Sequence, residues 1–245
     1  MKRITLWLAV SLTTFTLGIT VTVLYLSSSA SIILPPLAIP HDTAAAPTCF
    51  PGLSRGVENQ NTPLYFPRGA FDPKPEREKF ILEWYTSHLR AMGEPTLLYT
   101  PDSSSERYRF LWLRSFHPPV AVRVWRSGDS HFITVKQTNG QGGYRPGKLI
   151  TYVTRSLTKA EWDHFVSLLE RSCYWELPTT SDEPIGTDGA QWILEGVREE
   201  RYHVVDRWTP QSGDFREACL YLLKLSNLGI DPSADLTQIF FRAMN

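Results

Sequence analysis

Between Asp188 and Pro210 the chain carries carboxylates, an imidazole, guanidinium groups and indoles on two alternating stretches, Asp188-Gly-Ala-Gln-Trp-Ile-Leu-Glu-Gly196 and Arg201-Tyr-His-Val-Val-Asp-Arg-Trp-Thr-Pro210. Alternation on either side of a short break predicts a β-hairpin. At a rise near 3.3 Å per residue, Glu195, Tyr202, His203, Asp206, Arg207 and Trp208 then lie within about 20 Å of one another, with Asp188 at the entrance of the hairpin. Glu195 or Asp188 paired with His203 would suit acid–base hydrolysis of an envelope polymer. The same groups can form an ion network that fixes strand register, or contact a ligand. Expectation runs from structural role to ligand contact to catalysis, and no residue is assigned as catalytic.

A second candidate comes from segments with strand character at 107–116, 120–126, 131–138 and 148–155. Side chains alternate across a sheet, so Val120, Val122 and Val124 share one face while Ala121, Arg123 and Trp125 share the other. Placing Leu111 and Leu113 with the valines sends Tyr108, Phe110, Trp112 and Arg114 to the face of Arg123 and Trp125. That face is aromatic and cationic. Either a helix covers it and a three-layer core results, or part stays open as a ligand platform on which Trp112 and Trp125 stack and Arg123 donates.

Several shorter matches lose their chemistry in context. Gly52-Leu-Ser-Arg-Gly56 has the letters of a nucleophile elbow without a strand before it or a helix after it. Ser156-Leu-Thr-Lys159 matches a penicillin-enzyme motif, but Thr158 is better used to cap a helix with Glu161. The glycines at 140, 142, 143 and 147 fit a hairpin loop better than a phosphate cradle. The 6 histidines include no pair four apart on a helix and no Cys-x-x-Cys occurs, so neither metal nor cofactor is expected. Cys173 and Cys219 are candidates for a disulfide in an oxidising compartment, the alternative being two reduced thiols that pack as small hydrophobes; Cys49 is left over.

These groups require positioning elements. Pro73 and Pro75 behind Asp72 start a helix over 75–92, with Ile81, Trp84, Tyr85, His88 and Leu89 on one stripe. The four strands form an antiparallel meander. Thr158 and Glu161 open a helix bearing Trp162, Phe165, Val166 and Leu169, and Asp214 caps a last helix bearing Phe215, Ala218, Cys219 and Leu222. The order α-β-β-β-β-α-β-β-α predicts an α+β fold, an antiparallel sheet of a four-strand meander plus a hairpin packed with about three helices.

The N-terminus supplies location. Lys2 and Arg3 precede Ile4–Leu26, which contains no charge, and none follows until Asp42. At about 1.5 Å per residue this run crosses a hydrocarbon layer of roughly 30 Å. Positive residues stay cytoplasmic, which predicts an N-in, C-out transmembrane anchor at 1–26, a tether at 27–74 and a single exterior domain at 75–245. A secretory signal cut near Ser28–Ala30 is the alternative, and it gives the same exterior location. With 25 basic and 25 acidic residues the chain is no bulk-charge nucleic-acid binder, and 42 % apolar composition with Trp 8 and Phe 12 excludes disorder as its general state.

The Asp188–Pro210 pattern, with Tyr108-Arg-Phe-Leu-Trp-Leu-Arg114 upstream, resembles a signature of uncharacterised bacterial membrane-anchored or exported proteins, over roughly residues 75–228. Glu200 stands where that signature has Gly. The resemblance implies location and fold, and brings no activity or catalytic residues with it. The expectation is therefore a bacterial inner-membrane, single-pass protein whose periplasmic domain binds a protein or envelope glycan, with no nucleic-acid partner. The alternatives are the hydrolase above and an accessory subunit of a membrane assembly, for which Gly18 and the threonines of the anchor suit close helix approach. A reporter enzyme fused after Asn245 is expected to be active only outside the cytoplasm; activity confined to the cytosol refutes the topology.

Overall fold

The computed structural model describes residues 64–98, 106–181, 188–199 and 201–232. The predicted anchor, most of the tether and Cys49 lie outside them. Among the described residues no helix is long and apolar enough to cross a membrane. In chain order the elements are α1 (Pro75–Ala91), β1 (Arg107–Arg114), β2 (Val120–Ser127), β3 (Ser130–Thr138), β4 (Leu149–Leu157), α2 (Lys159–Arg171), a 3-10 turn (Tyr174–Glu176), β5 (Ala190–Arg198), β6 (Arg201–Trp208) and α3 (Asp214–Ser226). The order of helices and strands is the one expected. The fold is α+β, and all strands form one six-stranded antiparallel sheet ordered β4-β3-β2-β1-β5-β6.

The hairpin β5–β6 therefore joins the sheet beside β1, which becomes a central strand with one partner on each side. Its composition fits that place. Tyr108 to Leu113 is a continuous run of large apolar side chains around Arg109, and all are buried, as expected for a strand covered on both faces. Helices α2 and α3 cover one face over Tyr108, Phe110, Trp112, Val122, Val124 and Leu194. Helix α1 and the preceding segment cover part of the other over Leu111, Leu113, Ala121, Ile193 and Val204. The result is three layers.

The register corrects the expected faces. Phe110 pairs with Val122, Trp112 with Val120 and Leu111 with Ala121, so Tyr108, Phe110 and Trp112 join the valines and the two leucines join Arg123. Trp112 is buried against Trp192 under α3, with Arg114 over its ring, and is not part of an open platform. Side-chain period is 2, so a shift of one residue in pairing exchanges the two faces completely. Arg123 and Trp125 do remain together on the α1 face.

The segment before α1 belongs to the fold, contrary to the boundary expected at 74. Phe66 and Phe71 meet Tyr85 edge to face at 6.0 and 5.3 Å. Glu78, one turn into the helix, accepts the amides of Gly69, Ala70, Phe71 and Asp72 at 2.7–3.2 Å. Asp72 does not cap α1, whose N-cap is Lys74; it accepts the Lys74 amide at 2.8 Å and pairs with Arg77. Asp214 likewise is the first helical residue of α3 behind Gly213, and binds Arg171. The Thr158–Glu161 capping box on α2 is present as predicted.

Candidate functional site

Alternation in β1, β2, β3, β5 and β6 delivers a polar row to the α1 face beside its apolar cluster. Arg109 stands opposite Glu195 on β5 and opposite Arg123 on β2. Its Nε donates to Glu195 Oε1 at 2.7 Å, Nη2 donates to the same oxygen, and Tyr202 Oη donates to Oε2 at 3.2 Å. The loop after α1 contributes Glu94, which meets Arg109 at 3.4 Å, Arg123 Nε at 2.9 Å and Lys136 Nζ at 3.0 Å. Lys136 also donates to the Gly93 carbonyl at 2.9 Å and Arg109 to that of Pro95.

Three cations thus surround two carboxylates, and both Arg109 and Glu195 are wholly buried. Burial pushes the Glu195 carboxyl upward against the opposing pull of Arg109 and Tyr202. Burial acts the same way on Glu94, but Arg109, Arg123 and Lys136 together outweigh it and hold that carboxyl below its ordinary value. Charge excess lies toward the open side, at Arg123 and Lys136.

The hairpin residues expected to act together are divided by the sheet. Glu195 pairs across the ladder with Val204, so His203 points to the opposite face, where its ring meets Tyr174 at 5.2 Å. Burial, with Arg201 and Arg207 nearby, lowers its pKa. No acid–base pair forms between them. Asp206 is buried beneath α1, accepting Tyr85 Oη at 2.7 Å and Gln191 Nε2 at 2.8 Å, and burial raises its carboxyl to about 6. Arg207 ties the edge of β6 to the carbonyls of Pro178 and Thr179 and lies over Phe215. Trp208 packs by Gly189, next to the half-buried Asp188 at the start of β5. These are ladder and packing roles.

Toward β4 no helix covers the α1 face among the described residues, and Tyr152 is exposed there while Thr134 and Lys136 are buried. Arg123 lies over the Trp125 ring at 4.7 Å, Trp125 stacks on Phe132 at 5.3 Å, and Lys136 lies over the exposed Tyr152 ring at 5.0 Å. Thr134 and Thr154 share a hydrogen bond at 2.9 Å between them. This surface offers flat aromatic faces next to one partly exposed cation, Arg123, whose other side is held by Glu94, with the buried Lys136 behind Tyr152. It can stack a planar or apolar group and neutralise an acidic one. Of its members, sequence reasoning identified Arg123 and Trp125. Phe132, Lys136 and Tyr152 were recognisable as strand residues, and the strand register alone would have put them on this face. Glu94, between Gly93 and Pro95, carries no sequence signal of its role.

The Gly-rich loop uses its amides internally. Gly142 donates to the His117 carbonyl at 3.1 Å and Gly143 to that of Ser115 at 3.2 Å, which leaves no phosphate cradle there. A Cβ on Gly142 would come within 2.6 Å of the Arg114 backbone, so glycine permits the loop to press on the end of β1. Trp84 Nε1 of α1 donates to the Gly142 carbonyl at 2.7 Å. Cys173 and Cys219 are both free thiols, so the disulfide considered above is not formed; Cys219 is buried in the core. Among the described residues no cluster of ligands fit for a metal ion occurs. No family model matches the chain, and no curated protein matches it.

Glu195→Gln leaves the buried Arg109 guanidinium with only the more distant Glu94 as a carboxylate partner, and a loss of about 3 kcal/mol is expected in urea unfolding. Tyr202→Phe removes one neutral donor and should cost about 1 kcal/mol in the same measurement. For Asp206, a folded value of about 6 above the ordinary 3.8 means that the native state holds the proton more tightly. Its stabilising contribution is therefore full below pH 3.8 and is lost as pH rises through 6. Asp206→Asn should flatten the stability profile across that window, and an unchanged profile would show that Asp206 does not set it.

Proposed function

We propose that the protein is a membrane-anchored binding module of the bacterial envelope, N-in with its α+β domain on the exterior, which takes an acidic protein or glycan ligand on the open half of its sheet. The observation that carries this reading is the half-buried Arg123 held over Trp125 beside the exposed Tyr152 ring, which lies over the buried Lys136. A cation held over an aromatic face keeps its position before a ligand arrives, which lowers the ordering cost of binding. Behind this surface, three cations against two carboxylates leave one positive charge in excess, which favours negative groups.

The hydrolase reading has weaker support. Glu195 and His203 lie on opposite faces of the sheet, Glu195 has no exposure to a substrate, and Asp188 precedes β5 at the end of the hairpin away from Gly196, the partner of His203. The accessory-subunit reading rests on the anchor, outside the described residues.

A photo-crosslinking amino acid placed at Phe132 or Tyr152 of the full-length protein in its own membrane tests the proposal. An acidic envelope component should be captured at both positions, with yield falling as salt rises. The same probe at Lys159, on the exposed side of α2, serves as the control. Equal capture from position 159, or capture insensitive to salt, refutes an acidic ligand on this face.

A further inference from the structure

The two edges of the sheet are treated differently. At the β6 edge, the Asp206 amide donates to the Thr179 carbonyl at 2.7 Å and Arg207 binds the carbonyls of Pro178 and Thr179, so a chain segment blocks that edge. At the other edge, no strand pairs with the outer side of β4 among the described residues. Leu149, Ile150, Tyr152 and Val153 are 40 %, 56 %, 65 % and 50 % exposed, which is unusual for the apolar residues of a nine-residue strand. The strand contains no Pro and no Lys, the residues that commonly blunt an edge. Its one charge, Arg155, is turned to Glu161 and to the Leu225 carbonyl at the end of α3.

Backbone phase fixes which groups face outward. The Thr138 amide donates to Pro119 on the β2 side, so the odd-numbered residues of β3 bond to β4. Their partners are Thr151, Val153, Arg155 and Leu157. The amides and carbonyls of Tyr152, Thr154 and Ser156 consequently point to the open edge, while Ile150 lies at a break in register where Thr138 pairs with Leu149. An antiparallel copy of β4 centred on Val153 sets Tyr152 against Thr154 and so satisfies the outward groups of both residues in each chain, with Ser156 brought opposite Ile150 at the register break. Val153 then faces Val153 of the second copy on one side of the sheet. On the other side Tyr152 adjoins Thr154 of the second copy. The two Arg155 side chains stand four residues out of register, about 13 Å apart at the usual strand rise, and do not repel.

We infer that β4 pairs with β4 of a second copy of this chain about a two-fold axis at Val153, joining the two sheets into one. The open aromatic and cationic surfaces of the two copies become neighbours across the axis. This inference uses the strand edge and its self-complementary register, and holds whatever ligand the surface takes.

The test uses the full-length protein in detergent or nanodiscs, with oligomeric state measured by native mass. The wild type should be a dimer at micromolar concentration. Val153→Lys sets like charges directly opposite each other and should weaken the dimer about tenfold or more, while the half-exposed site leaves the fold intact. In a background lacking Cys49 and Cys173, Val153→Cys should give a disulfide-linked dimer and Arg155→Cys should not, because only the first lies within bridging distance. A monomeric wild type, whether its edge is empty or covered by another segment, overturns the inference. So does a dimer that survives Val153→Lys and does not link through Val153→Cys, as one held by the anchor would. Ligand capture at Phe132 is read separately, so either result can fail alone.

Discussion

The buried pair of Arg109 and Glu195 is the constraint around which the sheet is arranged. Each sits on a central strand, and neither has access to water. Two ions removed from solvent are tolerable only if their remaining valences are met, and here Tyr202, Pro95 and Glu94 meet them. The pair forms only if β5 lies beside β1 in one register. A shift by one residue would turn Glu195 into the apolar layer beneath α2 and α3, away from Arg109. The charge pair thereby specifies both where the hairpin attaches and how it is aligned.

From that pair the polar row extends outward through Glu94 to Arg123 and Lys136, so burial and exposure are graded along one line of side chains. The inner members are fixed by α1 and its flanking loop. Of the outer members, Lys136 is buried beneath the Tyr152 ring, and Arg123, held from behind by Glu94, keeps partial exposure, so its donors are positioned before a ligand arrives. Tyr85, Asp206 and Gln191 form a second polar group at the far end of the same face and tie α1 to β5 and β6.

The opposite face has a different character. Apart from Glu106, Arg114, His131 and His203 at its margins, it is built from aromatic and aliphatic side chains of α2, α3 and all six strands. Gly196 allows this density: a Cβ there would stand 2.6 Å from the Tyr108 ring. The polar and apolar burdens of the molecule are thus separated by the sheet, and this separation is what placed Glu195 and His203 out of each other's reach.

The sequence by itself determined the number, type and order of the elements, because helical and strand periodicity, the Thr158–Glu161 box and the Pro73–Pro75 start are all local signals. It also determined that Arg123 and Trp125 share a face, since alternation within one strand needs no partner. Tertiary structure alone decided which faces of different strands coincide. In β1 both faces are apolar, so Phe110 and Trp112 gave no indication of which side faced which helices, and only pairing with β2 and β5 resolved it. It likewise decided that Glu94 would close the ion network and that Asp206 would lie under Tyr85. Contacts between residues far apart in the chain depend on register and layer packing, and neither is written in the spacing of any single segment.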